Sequence, residues 1–272
     1  MVVTEPAEVG AIAKSIADSS LAAFDLEFLT ADRLVPTLCV IQVSWVSAPL
    51  DAPVEEFVSA EPEVRILDAL AIDATPVFAA LAAHPCTVVH AARQDLGIVG
   101  RFGIAMPNIV DTQVMAAFAG IGDQVGLGLL TSELLGVALA KEQQWTDWAK
   151  RPLSPAQLAY AAADVQHLPA IYAKLAARLG DRMPWARAES GVIAADALAA
   201  ATLAPEDAWR SINGLRGLDP LGLAVVRALA AWRFRVANDL DKPLGWVLPE
   251  KLVIDLARHR PDDGDKIRSL KG

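Results

Sequence analysis

Cysteine is nearly absent from this chain: only Cys39 and Cys86 occur in 272 residues. Both sit inside apolar, strand-like runs and neither has metal-ligand spacing. That excludes a disulfide framework and points to reduced core thiols of a cytoplasmic protein. Long apolar runs are missing too. The composition is 54% hydrophobic, but alanine supplies much of it. Charges interrupt every run before the ~20 residues that a membrane-spanning helix needs. The start Met1-Val2-Val3-Thr4-Glu5 lacks the basic residues and apolar stretch of a secretion signal. No membrane partner is expected. What is present is a folded chain, 21% charged, long enough for one large domain and a small one.

Positive charge is short overall, with a net charge of −9, but it is unevenly placed. Residues 203–272 carry 12 Lys and Arg against 10 Asp and Glu, whereas the preceding residues carry 12 against 23. An acidic body with a mildly basic tail fits a metal-carboxylate site plus a separate contact surface.

The stretch Phe24-Asp25-Leu26-Glu27-Phe28 reads as a β-strand, on which successive side chains alternate between faces. Phe24, Leu26 and Phe28 fall on one face and anchor it in a core. Asp25 and Glu27 fall together on the other, close enough to repel. Divalent metal is the commonest reason for such a pair; a strand with one wet, charged face gives the same pattern.

A lead helix from Pro6 to about Ser19 precedes this strand. Leu38–Trp45 and Arg65–Leu67 follow as strands and complete a meander. Helix and strand then alternate: Thr75–His84 helical, Thr87–His90 a strand, Gln94–Phe102 helical, Asn108–Val110 a strand. This argues an α/β sheet with helices packed on it. Gly126–Gly136 and Pro155–Leu179 read as helices, the second opened by a capping box, Ser154 with Gln157. Beyond strand ends lie Asp95 and Asp111, each readable as a ligand or as an N-cap. In Tyr160-Ala161-Ala162-Ala163-Asp164, four-residue spacing puts Tyr160 and Asp164 on one helix face.

The order D-x-E on an early strand, Asp after a later strand and Y-x-x-x-D on a late helix resembles the DEDD exonuclease superfamily. The match is to its tyrosine-bearing branch, and more closely to the ribonuclease D family. Pro36-Thr37-Leu38-Cys39-Val40-Ile41-Gln42, His90-Ala91-Ala92-Arg93-Gln94-Asp95-Leu96 and Asp111-Thr112-Gln113 follow that family's pattern. So do Lys141, Gln144, Asp147-Trp148 and Arg151-Pro152-Leu153. The resemblance covers residues 15–180.

This resemblance implies a ribonuclease H-like mixed α/β sheet with flanking helices over residues 1–198, followed by a small all-α bundle over 199–272. It implies that Asp25, Glu27, Asp95 and Asp164 hold two divalent ions, Mg²⁺ or Mn²⁺. Carboxylates without a His/Cys cluster suit such hard cations better than zinc. Two ions about 4 Å apart would clamp the scissile phosphate. Tyr160 is the expected orienter of the attacking water. Gln42, His90, Lys141, Gln144 and Arg151 are candidates for substrate binding, with His90 and Asp111 also readable as structural. Trp148 is expected to pack, as is Phe28.

Glu206–Ile212, Pro220–Asn238 and Pro249–Arg258 read as three helices. The runs 230–237 and 242–249 resemble an HRDC domain, a nucleic-acid-binding module that accompanies ribonuclease D. Arg227, Arg233, Arg235, Lys242 and Lys251 are its candidate phosphate contacts; a solvated bundle that merely packs is the alternative. The chain stops at Lys271-Gly272, where that module would continue, so an abbreviated module or a fragment is expected. The function expected is a metal-dependent 3′–5′ exoribonuclease releasing nucleoside 5′-monophosphates. Its partners would be RNAs with single-stranded 3′ ends, tRNA precursors among them. A 3′–5′ DNA exonuclease acting on single strands and a non-catalytic nucleic-acid-binding protein of the same fold are the alternatives.

Overall fold

Among the residues that the computed structural model describes (2–30, 32–47, 53–139 and 146–270), six strands form one sheet. They are β1 (Val2–Val3), β2 (Leu21–Leu29), β3 (Thr37–Val46), β4 (Glu63–Asp68), β5 (Thr87–Val89) and β6 (Ile109–Asp111). Their order across the sheet is β1-β4-β3-β2-β5-β6. β1 is parallel to β4, β3 is antiparallel to β4, and β5 is parallel to both β2 and β6. Ser20 N donates to Val46 O at 3.0 Å, tying the start of β2 to the end of β3, so these two run antiparallel.

Around the sheet lie α1 (Pro6–Ala17), α2 (Val54–Ser59), α3 (Thr75–Ala83), α4 (Arg93–Arg101), α5 (Thr112–Phe118) and α6 (Leu127–Leu135). After them come α7 (Pro155–Gln166), α8 (Leu168–Leu179) and α9 (Met183–Ala201). The alternation of β2 sorts them into two layers. Ala22, Phe24 and Leu26 pack with Ile12 and Ile16 of α1, Phe78 of α3 and Val99 of α4; Phe28 joins them, partly buried. Leu21 and Ala23 pack on the other side with Val165 of α7 and Leu168 and Ile171 of α8. Phe24 is 1% exposed, and burying such a side chain stabilises by roughly 1.5–3 kcal/mol. The face that begins with Leu21 and Ala23 ends with Asp25 and Glu27, so the carboxylates emerge where the second layer stops.

The capping box opens α7 as expected: Gln157 N donates to Ser154 Oγ (3.2 Å) and Ser154 N to Gln157 Oε1 (2.9 Å). The single helix expected over Pro155–Leu179 is instead two, α7 and α8, meeting at His167. Pro169 is the physical cause, because proline has no N–H to give to the carbonyl four residues back and its ring crowds that carbonyl. That carbonyl belongs to Val165, and it accepts from Ser44 Oγ of β3 at 2.8 Å. The break therefore pins the end of α7 to the sheet.

The chain forms two compact units, Met1–Leu29 with Leu38–Thr202, and Thr30–Thr37 with Leu203–Gly272. The second unit has a 3₁₀ turn at Pro205–Ser211, then α10 (Pro220–Leu240), α11 (Leu244–Val247), α12 (Glu250–His259) and α13 (Gly264–Ser269). Ala208, Ile212, Val226, Ala230, Val253 and Ala257 make its small core. Residues 30–37 are held in this unit by Asp241, which accepts from Arg33 Nε (2.6 Å) and Val35 N (3.0 Å). Among the described residues, no helix is long and apolar enough to cross a membrane.

Candidate active site

Three carboxylates converge at the end of β2. Oxygens of Asp25, Glu27 and Asp164 all lie within 4.8 Å of one another. β2 supplies the first two on one face. α7, pinned at Val165, supplies the third. Burial pushes the Asp25 carboxyl well above its ordinary range, with Asp95, Asp164 and Glu27 adding repulsion. Glu27 is pushed up to about 8, by burial first and then by Asp164 and Asp95. Asp164 is pushed up to about 7 by burial. Acids that resist ionising side by side are relieved by a cation between them, and three hard oxygen donors suit a divalent ion such as Mg²⁺ or Mn²⁺.

Asp95 occupies the third position of α4, 7% exposed. It lies outside the tight group of three, yet its charge contributes to raising both Asp25 and Glu27. Burial lifts it to about 7. Its helix is positioned by Asp111, which the sequence left between ligand and cap. Asp111 is the N-cap of α5, accepting from Gln113 N (2.8 Å), and it also accepts from Ala91 N (2.9 Å) and Ala92 N (3.1 Å). Ala91 sits at φ 54°, a left-handed conformation unfavourable for any side chain. Asp111 holds it there, and so aims the start of α4.

Tyr160 lies one turn before Asp164 on α7, half-buried, its ring 6.1 Å from that of Trp148. Burial, Asp164, Glu27 and Asp25 all push its hydroxyl upward. It stays protonated. Trp148 is 2% exposed and packs with Cys39, Val40 and Ala161.

The residues expected at the substrate are placed differently. Lys141 and Gln144 lie outside the described residues. His90 bonds through Nδ1 to Thr112 Oγ1 (2.9 Å), whose own proton goes to Val89 O (2.9 Å). Nδ1 is thus the protonated nitrogen, and burial pushes the imidazole down. Arg151 directs all five N–H donors into the protein: Nε and Nη2 to Asp68 (2.5 Å each), Nη1 to Trp148 O and Lys150 O, and Nη2 to Cys39 O. None is left for a phosphate. Asp68, unmarked by any motif, is the partner the sequence did not reveal. Gln42, expected at the nucleotide, is 0% exposed on β3.

In the helical unit, Arg233 departs from the exposed position expected for a phosphate contact. It is 4% exposed and donates through Nη1 to Leu248 O (3.1 Å). Arg227 is exposed over the Trp209 ring (5.5 Å). Arg235 pairs with Glu206 (3.4 Å), and Lys242 donates to Asp32 O (3.2 Å). Lys251 is exposed on α12.

Comparison with known proteins bears on this geometry. The profile of the 3′–5′ exonuclease family matches residues 1–180, and that of the HRDC domain residues 222–272. The chain is 36% identical over 271 residues to ribonuclease D of Acidiphilium cryptum, covering 97% of this chain and 64% of that protein. With ribonuclease D of Gluconacetobacter diazotrophicus it shares 32% over 278 residues, covering 100% and 66%. It therefore spans a little under two thirds of the length of these curated relatives. Escherichia coli RNase D, described as an exoribonuclease involved in structured RNA processing, superposes with a TM-score of 0.85 at 29% identity, covering 99% of this chain and 68% of that one.

Proposed function

Because the chain belongs to the ribonuclease D family of 3′–5′ exonucleases, we propose that it hydrolyses phosphodiester bonds from RNA 3′ ends. Nucleoside 5′-monophosphates are the products, and trimming of structured RNAs such as tRNA precursors is the setting. The observation that carries the reading is the convergence of Asp25, Glu27 and Asp164, with Tyr160 one turn away.

In this reading Asp25, Glu27, Asp95 and Asp164 hold two divalent cations, Mg²⁺ or Mn²⁺. Bound there, such cations supply Lewis-acid charge against the scissile phosphate and acidify an attacking water. Tyr160, protonated throughout the working range, orients the water by hydrogen bonding and does not take its proton. Trp148 fixes the ring of Tyr160, and Arg151 fixes the segment carrying Trp148. Arg227, Arg235, Lys242 and Lys251 are the proposed phosphate contacts of the helical unit.

The test uses a 5′-labelled RNA with a single-stranded 3′ tail beside the equivalent DNA, with Mg²⁺, Mn²⁺ or chelator. A metal-dependent ladder shortening from the RNA 3′ end is expected, abolished in Asp25→Asn. A ladder on DNA alone would move the activity to deoxyribonuclease. Binding without any ladder would make the protein non-catalytic.

A further inference from the structure

Gln42 lies in the middle of a buried strand with nothing to bond. It is fully buried, and neither Nε2 nor Oε1 has a hydrogen-bond partner. A buried amide left open at both ends is unfavourable wherever it serves no purpose.

Its surroundings are set by its neighbours. Two residues on, Ser44 reaches Val165 O of α7. Two residues back, Val40 packs with Ala161 of the same helix, as does Ile66, which pairs with Gln42 across β4. Gln42 therefore faces the turn of α7 between Ala161 and Val165, the turn that carries Asp164. β2 is the adjacent strand, and its Leu21, Ala23, Asp25 and Glu27 share this face, because Leu21 and Ala23 pack with Val165. Gln42 and Asp25 thus lie on the same face of adjacent strands, the face covered by the helix that brings Asp164.

We propose that Gln42 is a positioning residue for the cation site, its unpaired side-chain N–H being the donor that takes up the Asp25 carboxylate once a cation is bound there. It is not a nucleotide contact, since it has no exposed surface to offer one. The inference rests on the proposed cation site and deepens it. Partners that orient metal ligands from behind typically change metal affinity by about 10–100-fold when removed.

Gln42→Met keeps the length of the side chain and removes the amide. The expected result is an unchanged or higher Tm, Mn²⁺ affinity by isothermal titration weaker by about 10–100-fold, and a lower kcat with KM for an RNA oligomer unchanged. The loss of Mn²⁺ affinity is expected to vanish in an Asp25→Asn background. Wild-type Mn²⁺ affinity in a folded Gln42→Met protein would overturn the proposal, as would a rise in KM alone, which marks a substrate contact. In the wild type, the Gln42 side-chain amide resonance is expected to shift on Mg²⁺ addition, and an unmoved resonance overturns the role even if the variant does not fold. Absence of Mn²⁺ binding by the wild-type protein would instead bring down the cation site itself.

Discussion

The four acids show how a residue's neighbours decide its protonation. Without metal, Glu27 is pushed up to about 8 and Asp95 and Asp164 to about 7, burial leading in each case. The unfolded chain releases these protons at about pH 4. Between that pH and the raised values the folded state holds more protons than the unfolded one, so stability falls as pH rises through the window; below it the contribution is fully present. Chelator-treated protein is expected to show a Tm that declines from about pH 5 to about pH 8, with added Mn²⁺ or Mg²⁺ raising Tm more at the upper end. A flat Tm in chelator would mean that the acids ionise together without a cation. Tyr160→Phe is expected to lower kcat about 100-fold or more at little change in KM, as loss of one oriented hydrogen bond does at a reacting centre; wild-type kcat would remove it from the chemistry. The acidic pair on β2 was legible in the sequence because alternation alone puts Asp25 and Glu27 side by side. The inward placement of Gln42 and Arg151 was not, since a motif does not say whether a polar side chain points at the substrate or into the fold.

At the scale of elements, the junction of α7 and α8 is the informative departure. An alanine-rich run from Pro155 to Leu179 reads as continuous helix, and Pro169 alone signals otherwise. The break leaves Val165 O without a donor four residues on; the His167 N–H and Ser44 Oγ (2.8 Å) reach it instead, fixing the residue next to Asp164. Ser44→Ala removes one of that carbonyl's two donors, the His167 N–H remaining, so it is expected to lower the unfolding free energy by about 0.5–1.5 kcal/mol and to weaken Mn²⁺ binding by loosening Asp164. Chemical denaturation and titration calorimetry read the two effects separately; a destabilised variant with wild-type Mn²⁺ affinity would confine the bond to the fold. α9 was silent in the sequence for a different reason. Its Ala186, Ser190, Ala194 and Ala197 are the buried positions, and residues that small leave no apolar stripe for periodicity to detect. The short strands β5 and β6, flanked by helices, were legible because the β-branched pairs Val88-Val89 and Ile109-Val110 stand between helical runs.

At the scale of the whole molecule, charge separates the two tasks. Residues before 203 carry 23 acidic against 12 basic side chains, whereas 203–272 carry 12 basic against 10 acidic. The acidic part suits cations, and the exposed cations of the helical unit are the proposed source of affinity for an RNA strand. Arg233 is not among them, being enclosed against Leu248 O. Arg227, on α10, and Lys251, on α12, are exposed. Each phosphate that a cation neutralises on a single strand contributes about 0.7 to the slope of log affinity against log salt. Arg227→Ala and Lys251→Ala are each expected to weaken binding of a single-stranded RNA uniformly across sequences and to flatten that slope by about 0.7, with the double variant showing the sum. Arg227 also stacks on Trp209, so its variant is read beside a Tm measurement. An unchanged slope in both variants, with folding intact, would mean that this surface does not touch the RNA backbone and that the helical unit serves the fold alone.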